Sequence, residues 1–179
     1  MRVSSVGGVV QSIDGYTIIH KRPKDATHVP DVYDASIAGL AHINNNEIDF
    51  QFYLKKKFPE LEINSSEVNY IKATGLHSTK APDFSGMYTF LVQTNLELGL
   101  LAEKARNSFK NRFIIIPPGA LPDFIVDNYK DSEISCLDGG VTLASSLPHQ
   151  EFLETIDRWK RKGTTIEFGQ LKEGIFIPD

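Results

Sequence analysis

The chain is short of cysteine, of long apolar runs and of positive charge, and each shortage removes a class of function. Cys136 stands alone among 179 residues, so no disulfide can form within the chain. No paired C-x-x-C and no H-E-x-x-H run occurs either, which leaves the common zinc sites without their ligands. A membrane-spanning helix needs about 20 consecutive apolar residues, and no such run is present. The opening MRVSSVGGVVQSIDGY is broken by Ser4, Ser5, Gly7 and Gly8 where a signal peptide needs an uninterrupted apolar core. A cytoplasmic location is therefore the default expectation. The net charge is −4 and the pI about 5.7, whereas a nucleic-acid-binding domain normally carries a basic stripe; nucleic acid is not the expected partner. No G-x-S-x-G elbow is found, which argues against a serine hydrolase.

What remains is an ordinary globular composition, 41% hydrophobic and 23% charged. The length suggests one domain, large enough to bury about 70% of the surface of its unfolded chain. Neither an internal repeat nor a low-complexity tract interrupts it.

Val3 to Val10 and Tyr16 to Lys21 read as strands, and Asp14-Gly15 between them is a hairpin signal because the turn needs residues that tolerate positive φ. Gly7-Gly8 inside the first strand suggests a bulge or the close approach of another backbone. From Pro30 to Leu61 the pattern is a turn, a short strand ending at Ala38-Gly39, a polar Asn44-Asn45-Asn46 loop and a helix. In that helix Phe50, Tyr53, Leu54 and Phe58 share one face, Lys55 and Lys56 point away, and Pro59 stops it at Phe58. Val68 to Ala73 is strand-like, with Gly75 turning the chain. Met87 to Gln93 alternates cleanly, with Tyr88, Phe90 and Val92 on one face and Met87, Thr89 and Leu91 on the other.

Further on, Leu98, Leu101, Ala102, Ala105 and Phe109 recur at helical spacing, with Lys104, Arg106, Lys110 and Arg112 crowding the helix end. Phe113 to Ile116 is a short strand closed by Pro117-Pro118-Gly119, and Leu121 to Tyr129 a short helix. Asp138-Gly139-Gly140 reads as a turn more readily than as an anion cradle, and Cys136 beside it as a buried thiol without a base. Gln150 to Arg161 is an amphipathic helix whose buried stripe is Phe152, Ile156 and Trp159. The tail, Ile166 to Phe168 and Ile175 to Ile177, has strand character suited to docking on the sheet or on a partner subunit.

The succession of a hairpin, a basic pair (Lys21-Arg22), the run P-x-x-Y-D-A-S-x-A-G from Pro30, a loop and a helix resembles the Nudix superfamily. The resemblance covers about residues 3 to 95, and Y-D-A-S-I-A-G is its most specific part. It implies an α+β fold, a mixed β-sheet sandwiched between helices, with residues from about 96 to 179 as a helical extension packed on that core. It also implies a ligand of nucleoside-diphosphate type and, in catalytic members, magnesium or manganese supporting cleavage of a diphosphate.

The family's box reads G-x5-E-x7-R-E-U-x-E-E-x-G-U, where U is bulky and apolar and the helical glutamates hold the metal. Counting from Gly39 places Asn45 at the first Glu and Lys57-Phe58 at the paired Glu. Sliding back by one, so that Leu54 fills the U position, places Lys56-Lys57 at that pair. A loop longer by two residues recovers Glu47 and Glu60 but puts Pro59 inside the helix. No register restores the acidic cluster, and hard divalent cations want carboxylate oxygens rather than ammonium groups. Lysines there could instead neutralise a phosphate directly; the plainer reading is a solvated helix face that suits the C-terminal dipole.

The resemblance supplies the remaining expectations. Lys21, Arg22, His42, Lys56, Lys57 and Tyr88 are the candidate ligand-binding residues, although a charged strand end, a core histidine and core aromatic packing are the plainer readings of Lys21-Arg22, His42 and Tyr88. If catalysis survives, Glu47 and Glu60 are the fallback catalytic groups, and Glu151 and Glu154 join them as fallback metal ligands. His28 and Asp34 lie close in sequence, a spacing that more often makes a turn than a catalytic pair. Three readings stay open: a pyrophosphohydrolase with a rebuilt metal site, a ligand-binding or regulatory protein that lost the metal, and a partner-binding module, with a homo-oligomer as one such arrangement.

Overall fold

The computed structural model describes residues 3–26, 30–42, 50–78, 86–128, 134–162, 169–172 and 175–178. Among these, in chain order, lie β1 (Val3–Gln11), β2 (Thr17–Lys21), β3 (Tyr33–Asp34), β4 (Ile37–His42), α1 (Phe50–Lys55), β5 (Val68–Ser78), β6 (Gly86–Thr94), α2 (Leu98–Phe109), β7 (Phe113–Ile116), α3 (Leu121–Asn128), α4 (Ile134–Ser145), α5 (His149–Arg161), β8 (Gly169–Lys172) and β9 (Ile175–Pro178). The fold is the expected mixed α/β type, with β1 to β7 in one seven-stranded sheet. Its arrangement is consistent with a Nudix-like α+β fold.

β1 organises the sheet. Along one side it runs parallel to β6 from Ser5 to Gln11. Along the other it pairs with β4 from Val3 to Gly8 and with β2 at Val10 and Gln11, so the sheet forks beside Val9. Ser36 sits in the fork, 1% exposed. Its hydroxyl accepts from the Val10 N–H at 2.8 Å and donates to the Ile18 carbonyl, satisfying two backbone groups that the parting strands leave behind. β7 extends the sheet by pairing with β2.

Alternation along the strands gives the sheet two apolar faces. Val6, Val10, Ile18, Phe90 and Val92 pack with Leu54 of α1 and with Leu101 and Ala105 of α2. Val9, Ile19 and Leu91 pack on the opposite face with α3, α4 and α5, where Ile125, Leu143 and Trp159 are fully or nearly fully buried. Helices thus cover both faces, and the two sides of Met87 to Gln93 separate as the alternation predicts.

Several expectations are corrected. Gly7-Gly8 forms no bulge: pairing with β4 and β6 is continuous there. Side chains, not backbone, come close, because an added Cβ would meet Thr142 and Met87 within 3.2 Å at Gly7 and Ile37 within 2.8 Å at Gly8. Ala38-Gly39 does not end its strand, for β4 runs on to His42 and Gly39 pairs with Val6. α1 ends at Lys55 rather than Phe58; Phe58 to Leu61 is a separate 3-10 turn with Pro59 near its start, where the missing N–H has no partner to lose. Gly75 does not turn the chain, since β5 continues to Ser78 through a register shift at Ala73/Gly75. Asp138-Gly139-Gly140 lies inside α4, a helix with buried residues from Gly139 to Ala144. β8 and β9 pair with each other in a separate two-stranded sheet. The Asn44–Asn46 loop, His28 and Ile166 to Phe168 lie outside the described residues.

Candidate functional site

The sequence singled out two basic places, and the structure treats their cations differently. At the end of β2, Arg22 pairs with Asp34 at 3.2 Å and Lys21 with Asp31 at 3.4 Å. Arg112 joins them from just before β7: its guanidinium meets Asp31 at 3.0 Å and donates to the Lys21 and Arg22 carbonyls. Asp34 also caps the Ala35 N–H at 2.8 Å. Arg112 holds the Asp31 carboxyl below the usual carboxylate range, with Lys21 adding to the effect. Beneath this network His20 stacks on Phe109 with ring centroids 4.3 Å apart. Burial, then the charges of Arg22 and Arg112, press its pKa down to about 4, so His20 is neutral near pH 7. This corner ties β2, β3 and β7 together with committed charges.

The second place is the end of α1. Leu54 is fully buried, and the lysines follow it. Lys56 is exposed, its ammonium 4.3 Å from the centroid of Phe52 and 5.4 Å from that of Tyr53. Lys57 turns the other way and lies across β4: a Cβ added to Gly39 would collide with Lys57 Cε and stand 3.0 Å from Nζ. The absent side chain at Gly39 is what gives that lysine its place. Glu60 receives the Lys57 ammonium at 2.6 Å, an i,i+3 pair held by the 3-10 turn. Lys104 of α2 braces the same region from outside, meeting Glu67 at 3.2 Å and the Glu62 carbonyl at 2.7 Å.

The other candidates fall in different places. Tyr88 is half-buried on the α1 side of β6, packed against the Phe90 cluster. His42 ends β4 opposite Val3. Glu47 lies outside the described residues. Glu151 and Glu154 are exposed on α5, Glu154 accepting from Gln150 at 2.8 Å; the sheet stands between α5 and α1, so they are not brought to Glu60. Among the described residues no group of three His, Cys, Asp or Glu side chains is placed to hold a metal ion. The described charges at the end of α1 are three lysines and a carboxylate already taken by one of them, which does not fit magnesium or manganese.

Arg112 is the participant that sequence reading missed. It appears in the chain as one more cation after α2, and its role at Asp31, 81 residues away, follows from the β2–β7 pairing, for which short-range pattern carries no signal.

No family model matches the chain, and no curated protein does. Among solved structures it is similar to DR0079 from Deinococcus radiodurans, with a TM-score of 0.51 and 14% identity over 80% of this chain and 81% of that one. It is also similar to the NUDIX domain of Shewanella oneidensis NrtR, crystallised with ADP ribose, with a TM-score of 0.37 and 9% identity over 54% of this chain and 63% of that one. The first is a likeness of fold, and the second is too partial to bear on this chain's chemistry. Among the described residues no helix is long and apolar enough to cross a membrane.

Proposed function

We propose that the chain is a Nudix-like protein that binds a ligand of nucleoside-diphosphate type beside α1, with lysine ammonium groups in place of a divalent cation. The observation that carries this reading is Lys57, whose ammonium is seated against Gly39 by the absence of a side chain there. The burial of Leu54 supports the box register in which Leu54 fills the apolar position and Lys56-Lys57 stand where metal-binding glutamates would. A positive charge at that position repels a metal and attracts a phosphate.

Glu60 does not block such a role. Its pair with Lys57 is partly exposed, at 28% and 49%, and exposed pairs of this kind contribute about 0.2–1 kcal/mol. A diphosphate offering charge-assisted hydrogen bonds can displace it. Lys56 points away from Lys57 with its ammonium over the exposed Phe52 ring, so it supplies a second cation at the end of α1 rather than a direct neighbour of Lys57. Binding without hydrolysis is the reading favoured here, because the donor set is cationic.

Thermal unfolding against ADP-ribose, other nucleoside-diphosphate sugars and dinucleotides, each with and without magnesium, tests it. At a hundredfold excess over Kd a ligand adds about 2.7 kcal/mol, which raises Tm by roughly 5–10 °C in a chain of this size. The expected result is a metal-independent shift that Lys57→Glu abolishes. A shift that requires metal and is followed by phosphate-containing products would make the chain a pyrophosphohydrolase. No shift with any ligand would refute the ligand class and favour a partner-binding module.

A further inference from the structure

A second recognition site lies on the edge of the sheet at β5, next to the end of α1. Among the described residues β5 pairs only with β6, and no strand among them covers its other edge. A cleft of about 270 Å³ opens there, lined by four consecutive β5 residues, Val68, Asn69, Tyr70 and Ile71, together with Lys55 and Phe58. Successive side chains of a strand point to opposite faces. The register shift at Val68/Tyr70 breaks that alternation at Asn69, which lets four in a row meet one cleft, and Asn69, Tyr70, Lys72 and Ala73 are all exposed along the strand. Phe58 is 2% exposed and gives the cleft an apolar floor, Tyr70 is 45% exposed, and Lys55 adds an exposed cation.

We infer that this edge takes up a short extended peptide carrying an acidic residue next to an apolar one. The peptide adds to β5 as a further strand, its backbone bonding that edge, an apolar side chain entering beside Phe58 and a carboxylate meeting Lys55. Register shifts at Val68/Tyr70 and Ala73/Gly75 bound the regular stretch to Tyr70–Ala73. Such irregularities blunt an edge against long pairing with another sheet, so a short peptide fits where a second copy of this chain does not.

The test is fluorescence anisotropy of the full chain with a labelled, end-capped pentapeptide of sequence Val-Glu-Phe-Glu-Val. Two controls accompany it: the same peptide with lysine for each glutamate, and one with alternate backbone amides N-methylated. The acidic peptide should bind saturably, and each control should weaken binding at least tenfold. Lys55→Glu should reverse the preference between the acidic and basic peptides, and amide exchange should slow at Tyr70 to Ala73 on binding. Equal binding of the N-methylated peptide would mean that the strand edge is not used and would overturn the proposal, as would no binding of the acidic peptide. Sedimentation velocity showing a dimer that Tyr70→Lys dissociates would instead assign the edge to a second copy of this chain.

Discussion

Replacing Ser36 with alanine isolates the device that holds the sheet together where it forks. The serine is 1% exposed and its hydroxyl serves both the Val10 N–H and the Ile18 carbonyl. Alanine fits the space but leaves both buried backbone groups unpaired. Each such group costs about 1–3 kcal/mol. Val10 and Ile18 face one another across β1 and β2, so partial closing of the strands recovers some of this, and the net loss expected is about 2–3 kcal/mol. In a chain of this length that lowers Tm by roughly 4–12 °C. Urea unfolding followed by circular dichroism should show a lower midpoint with an unchanged slope, because the surface exposed on unfolding is the same. A loss below about 0.5 kcal/mol, the range of an ordinary surface substitution, would refute the reasoning, since it would mean that the strands pair directly without the serine.

Three further outcomes follow from particular residues. Among the described residues the buried Thr155 hydroxyl has no hydrogen-bond partner, so Thr155→Val should raise stability by about 1 kcal/mol in urea unfolding; a loss would reveal a partner for it. Lys110 closes α2 at φ 49, a left-handed position where glycine is unstrained, and Lys110→Gly should gain about 0.5–1 kcal/mol by the same measurement. The folded-state pKa of His20 is about 4 against an ordinary 6.5. The unfolded chain therefore takes up a proton that the folded chain refuses. This contribution to stability is complete above pH 6.5 and is lost as pH falls towards 4. Tm measured across that window should fall, and His20→Phe, which keeps a ring against Phe109, should remove the part of the slope due to His20.

Much of the fold was legible because local rules and tertiary packing agree in it. Asp14-Gly15 turns between β1 and β2, with Gly15 at φ 85, and the alternation of Met87 to Gln93 assigns its residues to the two faces observed. The misreadings share a cause. Sequence pattern reads Gly39, Gly75 and Gly139-Gly140 as turns or strand ends because glycine is a backbone punctuator when nothing else is known. In the structure Gly39 is small to accommodate Lys57, Gly75 lies 3.3 Å from Thr89 Oγ1 when a Cβ is added, and α4 is buried along its second half. The first two are demands made by neighbours distant in sequence. Of the candidate site, the lysines and the apolar role of Leu54 could be read directly, whereas the placing of Lys57 against Gly39 could not.

The two basic places also explain why one chain would keep both. Cations recruit a ligand only to the extent that the protein has not already neutralised them. Lys21, Arg22 and Arg112 face Asp31 and Asp34, and Arg112 in addition holds two backbone carbonyls. Asp31 adopts φ 61 to reach its partners, a conformation that most side chains avoid. Drawing a cation out of that network would leave a carboxylate or a carbonyl unmatched, and a phosphate would have to replace several bonds at once. At α1 the balance runs the other way. Lys57 answers to one carboxylate three residues along the same turn, and Lys56 to two aromatic rings rather than to an acid. Release of Glu60 leaves that carboxylate free to be hydrated, so exchanging it for a diphosphate sacrifices little. The corner at β2 thus holds strands together, and under the proposed function the end of α1 is where a ligand would find positive charge to claim.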